Sequence, residues 1–215
     1  MERAMLKNLI FDVGGVLLEY QWYKALTDLG YDETEAQEVG KKLVRDPIWP
    51  MMDYGVMTID EVREKLKLVY PELEEMMAEI LKNPKVLAVP RPEIWDQVRR
   101  LKEAGYRIFL LSNYGEELWE AHVAHQPFMQ HVEDAVISCR IHMVKPQRRI
   151  YTYALQKFGI RGEESVFFDD RPENTLAARK AGLPAVTVSS REDLNRILER
   201  LLEEGEESLP EERRA

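Results

Sequence analysis

The chain has very little cysteine: Cys139 is the one cysteine among 215 residues. A single thiol cannot form a disulfide within the chain, and such low usage is typical of proteins from reducing compartments. No histidine partner for a catalytic thiol is evident in the sequence. We therefore expect Cys139 to be a small buried apolar side chain.

Long hydrophobic runs are also missing. No apolar run approaches membrane-spanning length, and the first residues, MERAMLKNL, lack the apolar stretch of a signal peptide. The formal net charge of −9 argues against non-specific binding to nucleic acid or to anionic membranes. The sequence thus predicts a cytoplasmic protein with no nucleic-acid or membrane partner, and it leaves open whether the protein is a monomer or a homodimer.

What the sequence does contain is an alternation of short apolar runs with amphipathic segments. The runs are apolar on both faces, as in the central strands of a parallel sheet, and cover residues 8–13, 107–112, 134–138, 165–170 and 184–188. Helical patterns cover 91–105, 147–159, 172–182 and 190–205. This order predicts an α/β fold with a doubly wound, mostly parallel, Rossmann-like sheet.

Residues 17–88 interrupt this alternation. Helical patterns follow one another at 21–29, 33–45, 59–69 and 73–82, with no strand-like run between them. The sequence therefore predicts a core formed by 1–16 and 89–205, and an inserted all-helical cap formed by 17–88. The stretch 206–215 is highly charged and poor in apolar residues, which predicts a frayed tail.

Polar residues stand where the predicted strands end. They are Asp12 after the first strand, Ser112 and Asn113 after the second, Lys145 in the loop after the third, and Asp169 and Asp170 after the fourth. Because ligands of open α/β sheets bind outside the carboxyl ends of the strands, we expect these side chains to share one site. Gly14 and Gly15 can bring backbone amides close to an anion, since neither has a Cβ.

This set of groups suits phosphoryl transfer to an aspartate. One carboxylate attacks phosphorus, and the others help to hold Mg²⁺, a hard cation that prefers oxygen ligands. The hydroxyl, amide, ammonium and backbone N–H groups bind the phosphate oxygens. A lone Asp12 would be repelled by a phosphate dianion, so a metal ion and Lys145 are required partners.

Four motifs, in order along the chain, resemble the haloacid dehalogenase superfamily of aspartyl-nucleophile hydrolases: FDVGGVL, LLSN, KPQRRIY and FFDDRPEN. The helical insert after the first motif is similar to the small helical cap of that superfamily. Within it, the chain looks most like the branch of α-D-glucose-1-phosphate phosphatase and the N-terminal phosphatase domain of epoxide hydrolases. The resemblance implies a Mg²⁺-dependent phosphatase that acts on a small phosphorylated metabolite, foremost a sugar phosphate, through an aspartyl-phosphate intermediate.

Carried over by position, the resemblance assigns roles to the candidate residues. It makes Asp12 the nucleophile and a metal ligand, and it makes the backbone carbonyl of Gly14 a second ligand. Ser112, Asn113 and Lys145 would bind the phosphate.

The last motif concerns the metal, and the first concerns the proton. Asp170 would ligate Mg²⁺, with Asp169 beside it or acting through water. Most phosphatases of the superfamily also carry an aspartate two residues after the nucleophile as general acid and base, and here that residue is Gly14. We therefore expect a dependence on acidic leaving groups, such as the anomeric hydroxyl of a sugar, unless water or a cap residue supplies the proton.

Other readings of the same residues are open. A metal-independent 2-haloacid dehalogenase would leave two buried carboxylates, Asp169 and Asp170, without a cation, which is costly. A catalytically weakened protein that only binds a phospho-ligand fits the glycine at position 14, but the retained Asp12 weighs against it. Asp170 also fits a simple helix N-cap, with Pro172 and Glu173 behind it.

Two segments of the insert are candidates for substrate selection. The stretch WPMMDYGVMT, residues 49–58, contains Pro and Gly and is predicted to be a loop between cap helices that can face the site. Glu19, Tyr20 and Trp22, just past the first motif, are the second candidates.

Overall fold

The computed structural model describes residues 5–214. Its strands are β1 (Asn8–Phe11), β2 (Leu18–Tyr20), β3 (Ala88–Pro90), β4 (Arg107–Ser112), β5 (Asp134–Ile137), β6 (Ser165–Asp169) and β7 (Ala185–Thr187). Its helices are α1 (Trp22–Asp28), α2 (Glu33–Arg45), α3 (Pro50–Asp53), α4 (Ile59–Val69), α5 (Glu74–Lys82), α6 (Pro92–Glu103), α7 (Glu116–His122), α8 (Ser138–Ile141), α9 (Arg148–Phe158), α10 (Pro172–Lys180) and α11 (Arg191–Glu204). None of these helices is both long enough and apolar enough to cross a membrane.

Five parallel strands form the central sheet in the order β5–β4–β1–β6–β7. In the middle strand, Leu9 and Phe11 pack into the larger apolar core on one face, and Ile10 packs into a second core on the other face. Helices α6 and α11 contribute to the first core, whereas α9 and α10 contribute to the second. Burial on both faces explains why the strands read as uninterrupted apolar runs, and the predicted α/β fold is confirmed.

The insert, residues 17–88 and called the cap below, contains α1 to α5. Its helical patterns are confirmed, and α4 begins with a capping box in which Thr58 and Glu61 bond each other's backbone N–H groups. A two-stranded antiparallel ribbon, in which Leu18 pairs with Pro90, joins the cap to the core. This ribbon was not predicted from the sequence. Strands of three residues are too short to show an alternating pattern.

The segment that the sequence predicts to be a frayed tail, 206–215, is described up to residue 214. Two 3₁₀ turns follow α11, and Leu209 between them is buried. The Glu206 carboxylate accepts a hydrogen bond from the Leu6 backbone N–H at 2.6 Å, and Arg213 donates to the Leu209 carbonyl at 2.7 Å. One buried leucine and hydrogen bonds between charged side chains and main-chain groups thus hold this segment against the core.

Candidate active site

The carboxyl ends of β1, β4 and β6 open into a cavity of about 390 Å³. In the parallel register, Phe11 lies beside both Leu110 and Phe168, which brings the residues that follow them together. The predicted site residues on the cavity wall are Asp12, Gly14, Gly15, Ser112, Asn113, Lys145 and Asp170. Asp169 is fully buried behind the wall. The structure thus assembles the predicted residues in one place.

Lys145 stands at the centre of the site. Its Nζ lies 2.9 Å from Oδ2 of Asp12 and 2.6 Å from Oδ2 of Asp169, and its side chain is buried. Burial alone lowers the pKa of Lys145, but the two carboxylates outweigh it and raise that pKa above its usual value. Lys145 is therefore an ammonium group that holds two carboxylates together.

Asn113 fixes the main chain of the lysine loop. Its Nδ2 donates to the Lys145 carbonyl at 3.0 Å, and its Oδ1 accepts from the Lys145 N–H at 2.8 Å. Both polar groups of the amide are thus used to position Lys145. This pairing competes with the phosphate-binding role that the sequence predicts for Asn113.

Asp12 is buried at the end of β1. Its Oδ1 accepts hydrogen bonds from Ser112 Oγ and from the Val13 N–H, each at 2.7 Å. Burial raises the pKa of Asp12 to about 7, and Asp169 adds to this, while Lys145 and the Ser112 hydrogen bond oppose it. A nearby cation would favour the ionised form that a nucleophile needs.

Asp169 and Asp170 have different surroundings although they are adjacent. Asp169 accepts from Lys145 Nζ, from the Arg171 N–H at 2.9 Å, and from Asn174 Nδ2 at 3.0 and 3.1 Å. Asp170 is exposed, and the helix N-cap is Arg171, so the N-cap explanation of Asp170 does not hold. Asn174 is a site residue that the sequence analysis missed, although it ends the FFDDRPEN motif.

The three carboxylates Asp12, Asp169 and Asp170 could together hold a metal ion. One oxygen or more of each lies within 4.8 Å of the others. When all three are ionised, their negative charge exceeds the single positive charge of Lys145, and one divalent cation would balance the difference. Carboxylate oxygens suit Mg²⁺, so the donor set fits the predicted metal.

Comparison with known proteins identifies the family of this chain. A family model for haloacid dehalogenase-like hydrolases matches residues 6–182, most of the chain. The chain belongs to the haloacid dehalogenase-like hydrolases. The resemblance predicted from the four motifs is therefore confirmed.

Several curated relatives of this hydrolase carry phosphatase names. YhcW of Bacillus subtilis (strain 168), a candidate phosphatase, is 24% identical over 87% of this chain and 85% of YhcW. The glyceraldehyde 3-phosphate phosphatase of Methanocaldococcus jannaschii is 24% identical over 86% of this chain and 85% of that protein. A match of 72 residues to bifunctional epoxide hydrolase 2 of Mus musculus is 32% identical and covers 34% of this chain and 13% of that protein, in agreement with the predicted branch.

Solved structures share the fold of this hydrolase. The haloacid dehalogenase family enzyme BT-2542 of Bacteroides thetaiotaomicron, in complex with magnesium and inorganic phosphate, is 23% identical with a TM-score of 0.67. The likeness covers 85% of this chain and 93% of that chain. At this identity it establishes the fold alone.

Gly15 of the hydrolase is required by its surroundings. Its φ is +71°, and a Cβ there would lie 2.5 Å from Oδ2 of Asp170. Its backbone N–H donates to the Leu18 carbonyl at 2.8 Å, which closes the turn after β1. This hydrogen bond competes with the anion-binding role that the sequence predicts for the Gly15 amide.

Gly14, where most phosphatases of the superfamily carry their acid, lies against the ring of Tyr20. A Cβ at Gly14 would stand 2.8 Å from Cε2 of Tyr20. Tyr20 thus limits position 14 to a residue without a side chain. The structural reason for this glycine is the tyrosine packed against it, which no local sequence pattern indicates.

We therefore expect Gly14→Ala to lower the free energy of unfolding by about 1–3 kcal/mol, because the half-buried Tyr20 ring has to move. Gly40→Ala is the matched control, since a Cβ there meets Trp22 at an ordinary 3.7 Å inside α2. The control should be neutral or stabilising, because alanine favours helix. Urea unfolding of both variants measures this, and equal stabilities would contradict the contact between Gly14 and Tyr20.

Tyr20 begins a chain of buried hydrogen bonds. His122 Nε2 lies 2.6 Å from the Pro84 carbonyl, so it carries the proton, and its Nδ1 accepts from the Tyr114 hydroxyl at 3.2 Å. Tyr20 in turn donates to Tyr114, and burial raises the pKa of Tyr20 well above its usual value. The chain commits each proton to the next group, and His122 is buried in the interior rather than on the cavity wall.

The cap contributes Glu19, Tyr20 and Asp53 to the cavity wall. Asp53 belongs to the predicted loop 49–58, in which α3 forms one helical turn, so this stretch faces the site as predicted. Glu19 forms an ion pair with Arg91, a buried residue that the sequence analysis missed. Trp22 lies away from this cavity and packs edge-on against Trp49, with ring centroids 4.8 Å apart.

Proposed function

We propose that this hydrolase is a Mg²⁺-dependent phosphatase that hydrolyses a small phosphorylated metabolite, foremost a sugar phosphate, through an aspartyl-phosphate intermediate. The observation that carries the proposal is the convergence of Asp12, Lys145 and Asp170 on one cavity at the carboxyl ends of parallel strands. The phosphatase names of the relatives, one of them an enzyme named for a triose phosphate, support it.

In this proposal, Asp12 attacks phosphorus with one carboxylate oxygen. Ser112 holds the other oxygen in place through its 2.7 Å hydrogen bond, which orients the nucleophile. The Lys145 ammonium lies 2.9 Å from Asp12 and offsets the negative charge of an arriving phosphate. Asn113 acts through Lys145, because it bonds the main chain of that residue on both sides.

Asp170, Asp12 and the Gly14 carbonyl are the proposed ligands of Mg²⁺. Asp169 is assigned a different task, because Lys145, Asn174 and the Arg171 N–H already bond its oxygens. It holds Lys145 in place and adds negative charge behind the ligands. When bound, the metal ion neutralises charge on the carboxylates and on the phosphate oxygens.

The alternative from the sequence, a metal-independent 2-haloacid dehalogenase, fits this site less well. Three carboxylates share the site with one ammonium group, so without a cation the site keeps unbalanced negative charge. A cytoplasmic location and a monomeric or homodimeric state stay predictions.

The proposal is tested by measuring phosphate release from phosphosugars, nucleotides and phosphoacids, each with Mg²⁺ and with EDTA. We expect release only with Mg²⁺ and fastest from a small phosphosugar, because the cavity of about 390 Å³ restricts substrate size. Absence of phosphate release from every ester, or halide release from 2-chloropropionate in EDTA, would overturn the proposal.

A further inference from the structure

The hydrolysis of an ordinary alkyl phosphate needs a proton donor for the leaving oxygen. Position 14 cannot supply it, because Gly14 has no side chain and the Tyr20 ring lies against it. Tyr20 itself is a poor donor, since its hydroxyl is hydrogen-bonded to Tyr114 and burial raises its pKa well above the usual value. The donor must therefore come from another part of the cavity wall.

Most other ionisable groups on that wall are already engaged. Lys145 binds Asp12 and Asp169, and Asp12 is the proposed nucleophile. Glu19 is paired with Arg91. Among the carboxyl groups that line the cavity, this leaves Asp53 once Asp170 is assigned to the metal.

Asp53 is the last residue of α3 and is half-buried beside the cavity. Within residues 5–214, its carboxyl has no hydrogen-bond or ion-pair partner. Burial raises the pKa of Asp53 to about 7, while Lys145 and Arg171 act in the opposite direction. The other ionisable groups that its charge affects are Tyr20, Tyr114 and Cys139. Near neutral pH such a carboxyl can both give and take a proton.

Close backbone contacts fasten Asp53 to the core. Ser138 Oγ donates to the Asp53 carbonyl at 2.6 Å. Two residues further on, Gly55 has a φ of +65°, and a Cβ there would lie 2.2 Å from the carbonyl oxygen of Cys139. On the preceding side, a Cβ at Gly115 would come within 2.9 Å of Met52. These contacts fix the position of the cap segment relative to the site, as a catalytic group requires.

We propose that Asp53 is the general acid and base of this enzyme, supplied by the cap in place of the residue missing at Gly14. This inference rests on the proposed phosphatase function. In the first step, an Asp12 oxygen bonds to phosphorus, the bond from phosphorus to the alcohol oxygen breaks, and the Asp53 carboxyl gives its proton to that oxygen. In the second step, water attacks phosphorus and gives a proton to the Asp53 carboxylate, and the bond between Asp12 and phosphorus breaks. Ester and water thus become alcohol and phosphate, and both aspartates are restored.

The test compares two esters with leaving groups of very different acidity. For Asp53→Asn we expect kcat/KM to fall by about 10²- to 10⁴-fold on a primary alkyl phosphate. On 2,4-dinitrophenyl phosphate, whose leaving group needs no proton, kcat/KM should stay within about 3-fold of wild type. Asp53→Glu should recover part of the loss on the alkyl ester. Asp60→Asn is the matched control, the same change on an exposed cap residue paired with Arg63, and both rates should be unchanged.

Equal losses of Asp53→Asn on both esters would overturn the inference, because a merely structural residue affects both. Unchanged rates on both esters would overturn it as well. A second measurement needs no variant: kcat/KM of the wild type over esters of graded leaving-group pKa. A shallow dependence supports a resident acid, whereas a steep dependence, which the sequence predicts for a glycine at position 14, contradicts it. Failure of the wild type to release phosphate from these or any other esters of the substrate panel overturns the phosphatase function and this inference with it, while the other contrary results overturn this inference alone.

Discussion

Asp12→Asn is expected to lower turnover by about 10⁴-fold or more, which is typical for the removal of a nucleophile. Asparagine keeps the shape of the side chain, so Ser112 and the Val13 N–H can still donate to its amide oxygen. The charge that Lys145 contacts at 2.9 Å is lost, and with it the attacking oxygen. Inorganic phosphate and its analogues should still bind, since Lys145 is retained.

Turnover with Mg²⁺ and the binding of orthovanadate are measured together. They distinguish a loss of catalysis in this variant from a loss of the folded site. Asp96→Asn is the matched control, because Asp96 is an exposed carboxylate on α6 that pairs with Arg99 and does not line the cavity. The control should keep wild-type turnover, since exposed ion pairs contribute little. An Asp12→Asn enzyme that keeps about a tenth of the wild-type turnover would show that Asp12 is not the nucleophile.

The part of the candidate site that the core contributes could be predicted because parallel strands end at one edge of a sheet. Phe11, Leu110 and Phe168 lie side by side in β1, β4 and β6, so the residues after each of them meet. Short apolar runs reveal such strands, and the polar residue that ends each run can be read directly from the sequence. For the same reason, the α/β fold and the order of the motifs could be predicted from the sequence.

The different surroundings of Asp169 and Asp170 follow from the strand geometry, although the sequence analysis left their roles open. Asp169 is the last residue of β6 and is fully buried, whereas Asp170 lies beyond the strand and is exposed. Both faces of this sheet are buried, so an aspartate inside the strand is expected to be buried, whereas the one beyond the strand can face the cavity. Which one does so depends on where the strand ends, and strand ends are the least certain feature of a sequence.

The cap side of the site could not be predicted, because it depends on contacts between distant segments. Tyr20 lies against Gly14, and Asp53 reaches the cavity through the contact between Gly55 and Cys139. Neither contact leaves a periodic pattern in the sequence. From the sequence alone, the glycine at position 14 therefore indicates a missing general acid. The structure places the Tyr20 ring against this glycine and the half-buried carboxyl of Asp53 nearby.

Removal of the metal ion is expected to abolish phosphate release, and Asp170→Asn is expected to have nearly the same effect. Asp170 lines the cavity and belongs to the cluster of three carboxylates whose oxygens lie within 4.8 Å of one another. Loss of one ligand of a Mg²⁺ site with few protein ligands should weaken metal binding strongly. EDTA should stop the wild-type enzyme, and added Mg²⁺ should restore it.

The stability of the same variant provides a readout that does not depend on turnover. Desolvation of its carboxyl at the cavity wall and the neighbouring Asp169 raise the pKa of Asp170, so its negative charge is unfavourable in the metal-free protein at neutral pH. Asp170→Asn should therefore melt at a higher temperature than wild type in EDTA. Saturating Mg²⁺ should reverse this order, because a ligand present at about 100 times its Kd stabilises the protein that binds it by about 2.7 kcal/mol. Asp170→Asn should gain little stability from Mg²⁺.

Glu173→Gln is the matched control for this reversal. Glu173 is an exposed carboxylate of the same helix end and pairs with Arg171, so its loss changes the net charge equally without removing a proposed ligand. The control should show the wild-type response to Mg²⁺ in both melting temperature and turnover. Full wild-type turnover in EDTA, or an equal gain in melting temperature for Asp170→Asn and wild type, would contradict a metal site at the three carboxylates. Their negative charge would then have to be balanced by Lys145 and by protonation of Asp12, whose pKa of about 7 allows it.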